Sequence, residues 1–114
     1  MAAFARLLGG ATRPTAVLCS NDMTAIGVMR KSHEEGIRIP QELSVIGFDD
    51  IRLAQFILPP LTTVQMSQSE LGRLAFQALL TEVEREEPAP DGTDYSLQTS
   101  LVLRESTAMA RRAG

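Results

Sequence analysis

The stretch Val45-Ile46-Gly47-Phe48-Asp49-Asp50 constrains the fold more than any other. Apolar residues around a glycine form a run suited to a buried strand, and two carboxylates follow where that strand must end. In an open parallel sheet the carboxyl ends of the strands converge on a crevice, so acids placed there face a ligand. Ser20-Asn21-Asp22 makes a second polar strand end, after Ala16-Val17-Leu18-Cys19. The residues alone therefore specify an α/β fold, a parallel sheet with flanking helices, suited to binding rather than catalysis.

Length and charge narrow this further. A chain of 114 residues holds at most one domain, and can be part of one. Its hydrophobic fraction of 44%, with no Trp and one Tyr, requires an aliphatic core. A net charge of −3 without a clustered basic face argues against nucleic-acid contact by these residues. The single cysteine, Cys19, has no partner for an internal disulfide and sits in an apolar run, as a small buried thiol would. The first eight residues read as part of an amphipathic helix rather than an export signal. No apolar run reaches the ~18–20 residues that cross a bilayer, so the expected compartment is the cytoplasm.

The order of elements is strand, helix, strand. Phe4 to Leu8 is helical, and Gly9-Gly10 with Pro14 ends it before the Ala16–Cys19 strand. A helix from about Met23 to Glu35 follows, capped by Asn21 or Asp22, with Ala25, Ile26, Met29 and His33 at helical spacing and Gly36 as its stop. Ser44 to Phe48 is the next strand, parallel to the first across this crossover. Thr62-Thr63-Val64 is extended, and Ser67 with Glu70 has capping-box spacing ahead of a helix whose apolar face is Leu71, Leu74, Ala75, Ala78, Leu79 and Val83. That face requires a partner. A surface loop is expected over Glu84–Thr93, a last strand within Tyr95–Leu103, and a frayed tail from Thr107.

These motifs together resemble the C-terminal effector-binding part of LacI/GalR-type transcription regulators, whose core is similar to periplasmic sugar-binding proteins. The matching residues are Pro14-Thr15-Ala16-Val17, Ser20-Asn21-Asp22, Ala25-Ile26-Gly27, Gly36-Ile37-Arg38-Ile39-Pro40, Val45 to Asp50, Pro59-Pro60-Leu61-Thr62-Thr63-Val64, Glu70-Leu71-Gly72 and Leu101 to Ser106. The resemblance implies an incomplete portion of a periplasmic-binding-protein-like type I fold, without the DNA-binding headpiece. It assigns about 11–61 to the C-terminal subdomain, 62–64 to a crossover, 67–100 to the other subdomain and 101–106 to a return strand.

The resemblance also implies residue roles. Asn21, Asp22 and Asp49 align with positions that contact effector, where amides and carboxylates can each engage two hydroxyls or ring nitrogens of a sugar-like or purine-like metabolite. Asn21 and Asp22 can equally cap the helix, and Asp50 suits the turn. Met66 stands where many relatives carry a polar effector contact, and its thioether cannot donate a hydrogen bond. Ile26 and Phe56-Ile57-Leu58 align with the homodimer interface, or else belong to the core.

The expected function is effector sensing and dimerisation in a regulator whose DNA binding is controlled allosterically. The alternative is a fragment of a periplasmic sugar-binding protein for solute uptake. A phospho-acceptor or other enzyme built on Asp49 or Asp50 lacks a lysine beyond Lys31 to support it. His33 shares its helix face with no second ligand type. No catalytic residue, metal, cofactor or membrane contact is therefore expected.

Overall fold

The computed structural model describes residues 1–87 and 90–112. Two helices and two strands alternate first: α1 (Ala2–Leu8), β1 (Ala16–Leu18), α2 (Asp22–Glu34) and β2 (Ser44–Phe48). A 3-10 turn over Arg52–Gln55 leads to β3 (Thr62–Gln65), α3 (Gln68–Glu84) and β4 (Ser100–Val102). The strands form one sheet in the order β1-β2-β3-β4, with β1, β2 and β3 parallel. Val17 lies opposite Val45, and Gly47 opposite Thr63.

The chain divides into two compact units, one of Met1–Gln65 with the segment from Leu101 onward, the other Met66–Ser100. Thr62–Val64, where the crossover between subdomains is expected, lie within β3. They pair with β2, and Leu61, Thr62 and Thr63 are fully buried, so the division of the chain falls after Gln65.

The first unit owns the core. Phe4 of α1, Ala25, Val28 and Met29 of α2, Val45 of β2, and Leu43, Ala54 and Leu61 from the connections are buried together. Of its positions at helical spacing, α2 buries Ala25 and Met29. Its inner stripe is Asp22, Ala25, Val28, Met29 and Ser32, while His33 is exposed and Ile26 half-buried. Asp22 opens that stripe at the first helical position, three residues before Ala25. Ser32 fits inside because its hydroxyl donates to the Val28 carbonyl at 2.8 Å. The helix ends as expected: Gly36 takes φ +73°, and the Ile37 N–H reaches back to the Ser32 carbonyl. On its outer face Lys31 bonds Glu35 at 2.7 Å, which holds the Glu35 carboxyl below its usual range and the Lys31 ammonium above its own.

In the second unit, Ser67 caps α3 by accepting the Glu70 N–H at 3.2 Å, as its spacing indicated. None of the α3 side chains is buried, and Leu71, Phe76, Leu79, Leu80 and Val83 are exposed. The loop expected over Glu84–Thr93 includes Pro88 and Ala89, which lie outside the described residues.

The tail departs from expectation. Ser106 is fully buried between the starts of β2 and β3: its hydroxyl donates to the Val45 carbonyl at 2.6 Å and accepts the Thr62 N–H at 2.8 Å. Ala108 continues the attachment, its N–H bonding the Ser44 hydroxyl at 3.1 Å. The tail expected to fray from Thr107 is attached through Thr107 and Ala108, and is exposed without regular structure over 109–112.

Candidate functional site

β1 and β2 end side by side. Leu18 lies opposite Ile46, and three residues further along each strand stand Asn21 and Asp49. The polar segments recognised in the sequence thus both follow the carboxyl ends of adjacent strands.

Four polar side chains there divide into two kinds. Asn21 caps α2, its Oδ1 accepting the Thr24 N–H at 2.8 Å, while its NH2 group has no bonding partner among the described residues. Asp49 is half-buried, and its N–H extends the ladder to the Val64 carbonyl at 2.9 Å. Its carboxylate makes no hydrogen bond to the described residues. Each therefore retains free capacity, a donor on Asn21 and an acceptor pair on Asp49.

Asp22 and Asp50 do not. Asp22 is 0% exposed. Its Oδ1 accepts the Thr63 hydroxyl at 2.6 Å, and its Oδ2 accepts the Ile51 N–H at 2.8 Å. The expectation that Asp22 reaches a ligand meets a carboxylate already used to join α2 to β3 and to the turn after β2. Its place at the positive end of the helix dipole adds to that fit. Asp50 serves the turn, as expected: its N–H donates to Thr63 Oγ1 at 3.3 Å, and its Oδ1 accepts from Arg104 Nη2 at 2.7 Å.

The turn itself is strained. Asp49 has φ +112° and Asp50 φ +52°, a region that side-chain-bearing residues rarely occupy. Gly47 makes the close approach possible. A Cβ there would overlap Asp22 Oδ1 and stand 3.2 Å from Asp22 Cα and 3.0 Å from Leu61 Cδ2.

Sequence reading missed Thr63, Arg104 and Ser106. A threonine in an apolar strand and an arginine after a strand carry no local signal of buried bonding. Gly47 did carry one, since glycine within a strand marks close approach by another group.

The remaining expected residues differ in exposure. Ile57 packs against the core, whereas Phe56 is 64% and Leu58 91% exposed. An open recess of about 550 Å³ is lined by Met29, His33, Arg38, Ile39 and Leu58, and contains neither Asn21 nor Asp49. A smaller one of about 240 Å³, lined in part by Phe4, Leu7, Leu18, Cys19 and Ser20, adjoins the end of β1. Burial pushes the Cys19 thiol above its ordinary range. Iodoacetamide at about pH 8 should therefore alkylate the native chain at least ~10-fold more slowly than the urea-unfolded chain; equal rates would place the thiol at the surface. No group of three or more metal-ligating side chains occurs among the described residues, and none of the helices there is long and apolar enough to cross a membrane.

A sheet with three parallel strands and helices between them places the chain in the α/β class. Residues 1–107 match the family model described as a periplasmic binding protein-like domain, and the chain belongs to that family, in its LacI-type regulator branch. Over 100 residues it is 42% identical to the ribose operon repressor of Haemophilus influenzae, covering 88% of this chain and 30% of that protein. Over 94 residues it is 40% identical to the transcriptional repressor PurR of Vibrio vulnificus, covering 82% and 28%. Among solved structures, the lac repressor dimer bound to operator and an anti-inducer superposes with a TM-score of 0.81 at 31% identity, over 95% of this chain and 37% of that one. The chain thus spans less than a third of the length of these curated relatives.

Proposed function

We propose that this chain is the effector-sensing portion of a cytoplasmic LacI-type regulator, acting by binding rather than by catalysis. Asn21 and Asp49 supply one wall of a site for a sugar-like or purine-like metabolite. The Asn21 NH2 donates to a ligand hydroxyl or ring nitrogen, and the Asp49 carboxylate accepts, with bonds to the charged group worth ~1.5–3 kcal/mol each. Half-buried Ile26 with exposed Phe56 and Leu58 forms a surface for a second copy, as the dimeric lac repressor suggests by similarity. Ile57 supports that surface from the core. DNA is contacted by a headpiece outside these residues, and the repressor names of the relatives weigh against solute uptake.

The observation that carries this reading is the pair of uncommitted polar groups on neighbouring strand tips, beside two acids already bonded internally. One wall gives weak affinity, so the test is amide chemical-shift mapping of the chain with D-ribose and, separately, hypoxanthine at millimolar concentration. Shifts at Asn21 and Asp49 are expected with one of them. Asn21→Ser retains a capping oxygen, so it should change stability by less than ~0.5 kcal/mol while abolishing those shifts. Asp49→Asn should weaken them at least ~10-fold. Shifts that survive in both variants, or none in the parent chain with either probe, would remove the basis for this site. Operator DNA should show no sequence-specific retardation by this chain alone.

A further inference from the structure

The Asp49-Asp50 turn cannot hold its shape unaided, because two consecutive residues with side chains occupy positive φ. Left alone, such a segment relaxes toward ordinary backbone angles and carries the Asp49 carboxylate with it. Asp50 and Ile51 are held from three sides: by Thr63 Oγ1 on the Asp50 N–H, by Asp22 Oδ2 on the Ile51 N–H, and by Arg104 on the Asp50 carboxylate. The first two belong to the packed sheet and helix. The third arrives from the segment after β4.

Arg104 is fixed before it grips. Its N–H donates to Thr62 Oγ1 at 3.0 Å and its Nη1 to the Leu61 carbonyl at 2.9 Å, so the guanidinium spans the start of β3 to reach Asp50. Both partners are largely shielded, with side chains 18% and 14% exposed, where an ion pair is screened less than at an open surface. The planar fork binds a carbonyl and a carboxylate at once, a geometry that lysine cannot reproduce.

We infer that Arg104 is a positioning residue for ligand binding: through Asp50 it holds the strained turn that presents Asp49 to the site. This rests on the assignment of Asp49 as a ligand contact. It adds a role for a residue after β4, outside both strand tips.

Amide hydrogen exchange on the 114-residue chain tests it without any ligand. Arg104→Met should accelerate exchange at Asp50 and Ile51 by about tenfold or more, while amides of α2 such as Val28 and Met29 change less than about twofold. Arg104→Lys should recover part of the protection. Asp50→Ala, which leaves the arginine in place but removes its acceptor, should accelerate exchange at the same two amides, and the double variant should be little worse than Arg104→Met alone, since both remove the Arg104–Asp50 bond. Unchanged exchange at Asp50 and Ile51 would overturn the inference. So would acceleration spread evenly over α2 and the sheet, which marks a general stabilising contact.

The ligand arm uses the D-ribose and hypoxanthine titrations. Where the parent chain responds, Arg104→Met should weaken the shift at Asp49 at least ~10-fold with its α2 spectrum retained; an undiminished response overturns the positioning role. Where the parent responds to neither probe, the ligand assignment fails, and local exchange still decides whether Arg104 holds the turn.

Discussion

Gly47→Ala should lower the unfolding free energy by ~3–5 kcal/mol, the largest expected loss from adding a single methyl group to this chain. The new Cβ overlaps Asp22 Oδ1, and nearby stand Asp22 Cα at 3.2 Å and Leu61 Cδ2 at 3.0 Å. The leucine tip can rotate away. The helix backbone cannot do so without moving the whole N-terminus of α2, and swinging the Asp22 carboxylate aside breaks its bonds to Thr63 and Ile51. Overpacking typically costs ~1–3 kcal/mol, and loss of bonds to a buried carboxylate adds a comparable amount. Urea unfolding followed by far-UV circular dichroism provides the measurement. A loss below ~1 kcal/mol would mean that helix and strand separate easily, contrary to the close contact described.

Asp22→Ala should destabilise by a similar ~3–5 kcal/mol for the opposite reason. It opens space and leaves the Thr63 hydroxyl and the Ile51 N–H, both donors, without an acceptor. Asp22→Asn separates the two contributions. The amide preserves the volume and one acceptor but turns NH2 toward one of two donors, so its expected cost is ~1.5–3 kcal/mol. A ligand-contacting role predicts the reverse pattern, little loss of stability and a large loss of binding. Since Gly47 and Asp22 share one contact, the Gly47→Ala, Asp22→Ala double variant should fall short of the summed losses by at least ~1 kcal/mol.

Much of this was legible in the sequence. Parallel pairing of β1 with β2 followed from two apolar runs joined by a helix, α2 began and ended where Asn21 and Gly36 signalled, and α3 began where Ser67 did. That Asn21 and Asp49 follow the carboxyl ends of adjacent strands came from the same pairing. The inward turn of Asp22 was not legible, because periodicity places an acid outside unless its partners are known, and those partners, Thr63 and the Ile51 N–H, lie 41 and 29 residues away. The same applies to Arg104 and Asp50, 54 residues apart. Long-range polar bonding leaves no local trace. Apolar spacing likewise cannot anticipate a buried serine at Ser32 that bonds its own helix.

The leucines left uncovered on the two outer strands, Leu18 on β1 with Leu101 on β4 and Leu103 just beyond it, have a practical corollary. With a net charge of only −3, molecules repel one another weakly, so greasy flanks make the preparation cohesive as it is concentrated. Sulfate should precipitate the chain at a lower concentration than chloride does.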